Sequence, residues 1–287
     1  MTVVDNGFDD AAIGVWAEPE VVTVTREAIA AYAAATNDPI EAHLRGDVAP
    51  PVFGIVPAFD AMMSPAVDVV PIEIFGRIVH GEQDFHFHRP IVPGDVLTTR
   101  ARVIGYDTVD SGTRLSIQIE TRDAQDELVN EQYLIGFFRG VDAGRNVGER
   151  VPGHRLDTTT TSREPIAVVD AHVDDDQTFR YAPASGDPMP IHLDDEVAKD
   201  AGLPGIIAHG LCTMAFTSWA VLTEVAASDV HRLRRFAVRF STMVLPGDDL
   251  TTRIWHSGSA GDATEYGFQT TREGDVVITD GLAVVAD

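Results

Sequence analysis

An aspartate and a histidine five positions apart, Asp187 and His192, are the residues of this chain best placed to do chemistry. They lie in YAPASGDPMPIHLD (181–194), where Pro188 and Pro190 stiffen the connection between them. A stiff loop can hold both groups toward one point at low entropic cost. A carboxyl and an imidazole held in this way can share a water, one group taking a proton and the other supplying one. Downstream, His209-Gly210 opens an apolar run with helical spacing. The Gly210 N–H at that start, helped by the helix dipole, is a donor for a carbonyl that gains negative charge. Taken singly, Asp187 reads as a turn residue and His192 as a packed core histidine. The constellation reads as an acid–base pair with an oxyanion donor, flanked by Ser185, Gly186 and His209 as candidate substrate contacts.

These residues need a scaffold, and the pattern around them supplies one. Residues 176–183 form a short helical lead into the loop. Asp194 can cap a helix through Ala201 that Gly202 stops. In 209–226, Leu211, Met214, Ala215, Ser218, Trp219 and Leu222 recur at helical spacing, apolar around much of the circumference, which predicts a buried helix. The period then changes to two, and RRFAVRFSTMVL, LTTRIWHS, ATEYGFQTT and VVITDGLAVVA read as four strands of an antiparallel meander.

The scaffold is built twice. PGDVLTTRA (93–101) and PGDDLTTRI (246–254) agree at seven of nine positions, and YAAATNDPIEAH (32–43) and YAPASGDPMPIH (181–192) at six of twelve. The offsets, 153 and 149, keep the same order, as a duplication requires. The first copy predicts helices near 25–36 and 56–67 and strands near 83–92, 96–107, 113–123 and 128–139. Domain boundaries follow: 1–140, a polar linker at 141–164, and 165–287. A meander that buries its apolar face around one long helix resembles the hot-dog fold. The expected class is therefore α+β, a tandem or double hot-dog.

Composition narrows the function classes. Hydrophobic residues make up 44% of the 287, enough for globular cores. A net charge of −24 repels nucleic acid and anionic membrane surfaces. No apolar run reaches the roughly 18 residues needed to cross a bilayer, and MTVVDNGFDDAAIG at the N-terminus lacks the features of a secretory signal. Cys212, the single cysteine, cannot form an internal disulfide, which suits a cytoplasmic setting. No GxGxxG or Walker pattern is present, so no cofactor is expected.

The 181–210 stretch resembles the motif of the MaoC-like (R)-specific enoyl-CoA hydratase 2 and acyl dehydratase family, Y-x3-SGD-x-N-P-[IL]-H-x-D followed by G-x4-I-x-HG. The surrounding match, 177–216, covers about forty residues, and the repeat extends the resemblance over most of the chain. The resemblance implies hydration of a trans-2-enoyl-CoA to the (R)-3-hydroxyacyl-CoA, or the reverse dehydration. It implies Asp187 and His192 as the catalytic dyad and the Gly210 amide as the donor to the thioester carbonyl. An acyl-carrier-protein dehydratase and a non-catalytic acyl-thioester-binding subunit stand as alternatives, and a homodimer is left open. One departure is clear: Met189 stands where the family has Asn. Restoring that Asn is expected to raise turnover if Met189 is a recent loss, or, as the favoured outcome, to bury an amide without partners among Ile191 and Leu193 and lower activity.

In the first copy, Asp38 and His43 keep the dyad spacing, but Val56-Pro57 align with His209-Gly210. Proline has no N–H, so that copy cannot supply the same donor. Asp38 and His43 read as remnants with structural roles, and this half reads as the shaper of an acyl tunnel, with 50–55 as candidate lining or core. Arg232, Arg234 and Arg235 are candidate contacts for the phosphates of CoA. His80, His86 and His88 could suggest a metal site, but the H-x-H pair His86/His88 points both rings to one sheet face without a third ligand nearby in sequence, so no metal is expected.

Overall fold

The computed structural model describes residues 2–3 and 7–287. Part of the N-terminal stretch read above for a signal therefore lies outside the described residues. The chain divides into two compact units: Met1–Val22, Pro57–His86 and Val96–Gly153 in one, and Thr23–Val56, Phe87–Asp95 and His154–Asp287 in the other. The units are not the two consecutive repeats. Segments 23–56 and 87–95 of the first copy belong to the unit that carries the second.

The first unit contains helix α2 (Phe59–Val69) and strands β1 (Ile78–Phe87), β2 (Val96–Val109), β3 (Gly112–Arg122) and β4 (Leu128–Arg139). The sheet order is β2-β3-β4-β1, so the first strand pairs with the last rather than with the next. This corrects the expected meander. β1 also begins and ends five residues before its expected span. Pro90 and Pro93 cannot donate to a ladder, and Arg89 is drawn to Asp95 at 2.8 Å beyond the strand end. The other three strands fall within two residues of expectation.

The second unit repeats this order with β5 (Ala167–His172), β6 (Leu233–Phe240), β7 (Asp249–Ser259), β8 (Ala263–Arg272) and β9 (Asp275–Ala286). Its sheet runs β6-β9-β8-β7-β5. The stretch read as an extended β6 strand through residue 245 breaks after Phe240, because 241–248 must carry the chain away from β9 to β7. β5 was not foreseen. Its half-exposed alternation pairs with the free edge of β7, Ala167 opposite Ile254 through His172 opposite Asp249. Helix α5 (Gly210–Val225) is buried at every position from Leu211 to Leu222. Hydroxyls tie it to the sheet: Thr217 lies 3.0 Å from Thr270, which lies 2.9 Å from Thr252.

The expected linker is no free tether. His154 is buried, its Nδ1 donating to the Asp280 carbonyl at 2.7 Å. Asp157 caps the short helix Thr158–Thr161. The helical run Pro51–Val69 is 19 residues long and apolar enough by length and composition to cross a bilayer, contrary to the expectation that no run reaches that length, but 61% of its most apolar window is buried inside the protein. Val52, Phe53 and Ile55 are at most 2% exposed, and Phe53 meets Tyr32 edge-on at 5.6 Å, which is core packing.

Helix α1 (Arg26–Ala35), capped by Thr25, and helix α3 (Gln177–Ser185) are repeat equivalents packed within the second unit. The matching tyrosines meet, Tyr32 and Tyr181 hydroxyls 3.2 Å apart and both buried. Trp219 of α5 donates to the Thr36 carbonyl at 3.2 Å. Just beyond α1, His43 Nδ1 bonds the Asp38 carboxylate at 2.7 Å, with the two side chains 0% and 2% exposed. The Asp38 carboxylate also accepts the Ile40 N–H at 2.8 Å. The pair is locked into the interior. Asp38→Ala and His43→Ala are each expected to cost about 2–4 kcal/mol by urea unfolding, because each strands a buried polar partner. Turnover per folded molecule is expected to stay within about twofold, since neither group reaches the Asp187 loop.

Candidate active site

The loop between α3 and α4 (Asp195–Asp200) is built from local bonds. Gly186 ends α3 in the left-handed region at φ +81°, a conformation glycine adopts without a Cβ penalty. Ser185 is buried, and its Oγ accepts the Asp187 N–H at 3.2 Å. Asp187 Oδ1 accepts the Met189 N–H at 3.0 Å. Pro190–His192 is a 3-10 turn, after which Asp194 caps α4 by accepting from Glu196 and Val197. Ser185 and Gly186, expected as substrate contacts, thus hold the loop from beneath.

His192 is buried, and its Nδ1 lies 2.8 Å from the Ile207 carbonyl oxygen. A carbonyl only accepts, so Nδ1 carries the proton and Nε2 presents a lone pair. Burial holds this imidazole below its usual range, opposed by the Ile207 bond and by Asp187. Burial also pushes the Asp187 carboxyl upward, opposed by the Met189 N–H and by His192. A carboxyl and an imidazole in one desolvated place are thereby moved toward each other in acidity, as an acid–base pair requires.

His209 completes the group. Its ring stacks on His192 with centroids 3.8 Å apart and planes 26° apart, and its Nε2–H donates to the Asp187 main-chain carbonyl at 3.3 Å. Ligating atoms of Asp187, His192 and His209 all lie within 4.8 Å of one another. A water accepted by two groups at 2.8 Å in tetrahedral geometry separates them by about 4.6 Å. The carboxyl and the imidazole are thus close enough to share one water. The same trio has the atom types for a metal. Stacked rings, however, send their in-plane lone pairs side by side rather than to one point, which suits a tetrahedral ion poorly. His86 is turned to Asp84 at 3.2 Å and His80 to Gln83 at 3.0 Å, and neither joins a metal-ligating set among the described residues.

Gly210 is the first residue of α5, and no side chain caps that end. Its N–H has no intrahelical acceptor. A depression of about 360 Å³ adjoins the 204–206 segment, lined by Phe179, Ile206, Leu245 and Pro246 with Asp175 and Asp195. The three arginines are not brought to the dyad. Arg232 donates to the Ala286 carbonyl at 2.9 Å and Arg234 pairs with Asp262 at 2.9 Å. They lie at the end of β6 away from Phe240, whose ring is the nearest neighbour a Cβ on Gly210 would meet. At strand rise this puts them roughly 17–26 Å along the strand. The role of His209 in gripping the loop was not read from the sequence. The only signal was its place beside Gly210.

Two families match the sequence: the MaoC like domain over residues 155–277 and the FAS1-like dehydratase domain region over residues 11–132. A probable enoyl-CoA hydratase 2 of Dictyostelium discoideum is 29% identical over 82% of this chain and 80% of its own length. The 3-hydroxyacyl-thioester dehydratase Y of Mycobacterium tuberculosis is 30% identical over 71% of each. A MaoC-like dehydratase from Phytophthora capsici has a crystal structure that superposes with a TM-score of 0.87 at 26% identity, over 97% of both chains. The double hot-dog expected from the repeat is the fold of such neighbours.

Met189 is 48% exposed. This overturns the expectation that an Asn in its place would be buried among apolar neighbours. Met189→Asn is expected to change stability by less than about 0.5 kcal/mol, as for other exposed positions. Thermal denaturation checks it, and a loss above 2 kcal/mol would show that the side chain packs after all.

Proposed function

We propose that this chain, which belongs to the MaoC-like dehydratase family, adds water across the double bond of a trans-2-enoyl-CoA to give the (R)-3-hydroxyacyl-CoA, and catalyses the reverse dehydration. It is a hydro-lyase, in keeping with relatives named enoyl-CoA hydratase 2 and 3-hydroxyacyl-thioester dehydratase. The observation that carries the reading is the His192 lone pair, left free by the bond of Nδ1 to the Ile207 carbonyl, in a ring that has a nitrogen within 4.8 Å of an Asp187 carboxylate oxygen.

The thioester carbonyl oxygen accepts the Gly210 N–H. A water sits between Asp187 and His192, and His192 Nε2 takes one of its protons. The water oxygen bonds to C3, and the C2=C3 electron pair moves toward the carbonyl, whose negative charge meets the Gly210 N–H and the positive end of α5. Asp187, in its carboxylic acid form, gives its proton to C2 and restores the thioester. The proton on His192 then returns to Asp187 before the next turnover. Burial favours both starting forms, a neutral imidazole and a protonated carboxyl. The departure at Met189, which motivated a non-catalytic alternative, lies on an exposed side chain and leaves the dyad geometry whole.

Hydration of crotonyl-CoA through long-chain enoyl-CoA, with chiral analysis of the product, tests the reading. Asp187→Asn and His192→Ala are each expected to lower kcat by about 10²–10⁴. The double variant should be little worse than the poorer single one, because the groups act as a unit. Near-normal turnover in either single variant would sink the assignment.

Gly210→Pro isolates the oxyanion donor. Proline is tolerated at the first helical position but removes the N–H. A loss of about 10²–10³ in kcat with unchanged melting temperature is expected. Gly210→Ala keeps the N–H, and its Cβ meets nothing closer than the Phe240 ring at 3.4 Å, so it should retain most activity. Equal losses in both variants would point to crowding instead. Because His192 is held below the usual imidazole range, the acid limb of hydration should fall below about pH 6.5. A limb above that value would require a different base.

A further inference from the structure

We propose that His209 is a positioning residue for both members of the dyad, its ring face keeping water off His192 while its Nε2–H holds the main chain of Asp187. The proposal rests on the hydratase reading of the same site. His209 stands at the N-cap of α5, where a side chain ordinarily turns back to accept the first amides, yet it makes no such bond. Its ring turns outward from the helix instead. It covers one face of His192 at 3.8 Å and donates to the Asp187 carbonyl at 3.3 Å. One side chain, fixed to the first turn of the helix that presents Gly210, therefore touches both reacting residues.

The remaining nitrogen shows that packing alone does not account for a histidine here. His209 is 1% exposed, and its Nδ1 is buried with no partner among the described residues. An apolar ring would fill the same space without stranding a polar atom, which ordinarily costs about 1–3 kcal/mol. What histidine adds is the Nε2–H that reaches Asp187. Tyr181 backs the other side of the ring at a centroid distance of 4.9 Å and is itself held by Tyr32. The stack is thus wedged between α3 and the catalytic loop.

The charges around His192 are few. Asp187, His209 and Tyr181 face this cluster. On the elements packed against it, Lys199 of α4 is paired with Asp195, and Arg180 of α3 with Asp174 and Asp176. Burial of Tyr181, and of the Cys212 thiol on α5, pushes both upward and keeps them neutral. Burial and the neighbouring His192 push His209 down to about 3, so it stays neutral beside the base at working pH. The ring face thus acts on His192 by excluding water, and the N–H acts on Asp187 by fixing its backbone.

Two half-replacements separate these actions. His209→Phe keeps a ring face and loses the donor. His209→Gln keeps a donor near the Nε2 position and loses the face. The His192 titration is followed by NMR in ¹⁵N-histidine-labelled protein without substrate, assigned by difference with His192→Ala, alongside kcat and KM. With His209→Gln the His192 midpoint is expected to rise toward the free imidazole's 6.5, and with His209→Phe to stay where the wild type has it. His209→Phe is expected to lower kcat about tenfold or more at nearly constant KM, from a displaced carboxyl. A His192 midpoint unmoved in His209→Gln, or moved alike in both variants, overturns the proposal. So does full kcat in His209→Phe. If His209→Gln does not fold, His209→Asn, likewise without a ring, carries the same expectation. The titration needs no turnover, so a protein inactive on enoyl thioesters would defeat the hydratase reading while the His192 midpoints still judge the role of His209.

Discussion

The 2.8 Å bond from His192 to the Ile207 carbonyl is the contact on which the site depends. A main-chain carbonyl cannot donate, so it decides which imidazole nitrogen carries the proton and leaves the other as a base. The carbonyl is itself held from both sides. Ile207 donates back to Ile191 at 3.4 Å, and Ala208 donates to the Val244 carbonyl at 2.8 Å, just beyond the end of β6. The 203–208 segment then runs straight into His209 and the first turn of α5. The His192 ring, the His209 ring stacked on it and the Gly210 N–H are consequently positioned by one short stretch of chain braced by the loop after β6.

The two repeats show what that bond is worth by contrast. Both copies keep an aspartate and a histidine at the same spacing, and in both the aspartate accepts the N–H two residues on, Ile40 at 2.8 Å and Met189 at 3.0 Å. They part at the histidine. His43 turns its Nδ1 to its own aspartate, closing the pair on itself, whereas His192 turns Nδ1 to a carbonyl and leaves the aspartate open to a water. With Pro57 aligned to Gly210, the first copy has lost the donor as well. The same loop architecture therefore carries a closed, buried pair in one copy and an open pair in the other, with the partner of the histidine Nδ1 exchanged between them.

Much of this was legible in residue order because the signals are local. The Asp194 cap, the Gly202 stop and the period change after α5 each act within a few residues. The Asp187/His192 spacing and the repeat are local too. What could not be read is what long-range pairing decides. Strand order within each unit depends on which edge the chain returns to, and 241–248 carries no mark of skipping past β9. β5 is recognisable only because β7 offers it an edge. The packing of α1 against α3 rests on Tyr32 meeting its own repeat image, a contact across 149 residues.

Met189 remains the position where this chain departs from its family, and the structure changes what the departure means. The loop is over-determined by its backbone: Gly186 in a left-handed turn, the Ser185 hydroxyl on the Asp187 N–H, the Met189 N–H on the Asp187 carboxylate, and two prolines that fix φ on either side of Met189. Residue 189 contributes its amide to that set, and any residue but proline would contribute the same. Its side chain points into solvent for about half its surface. A family asparagine can add a further contact there, but the carboxyl and imidazole do not wait on it.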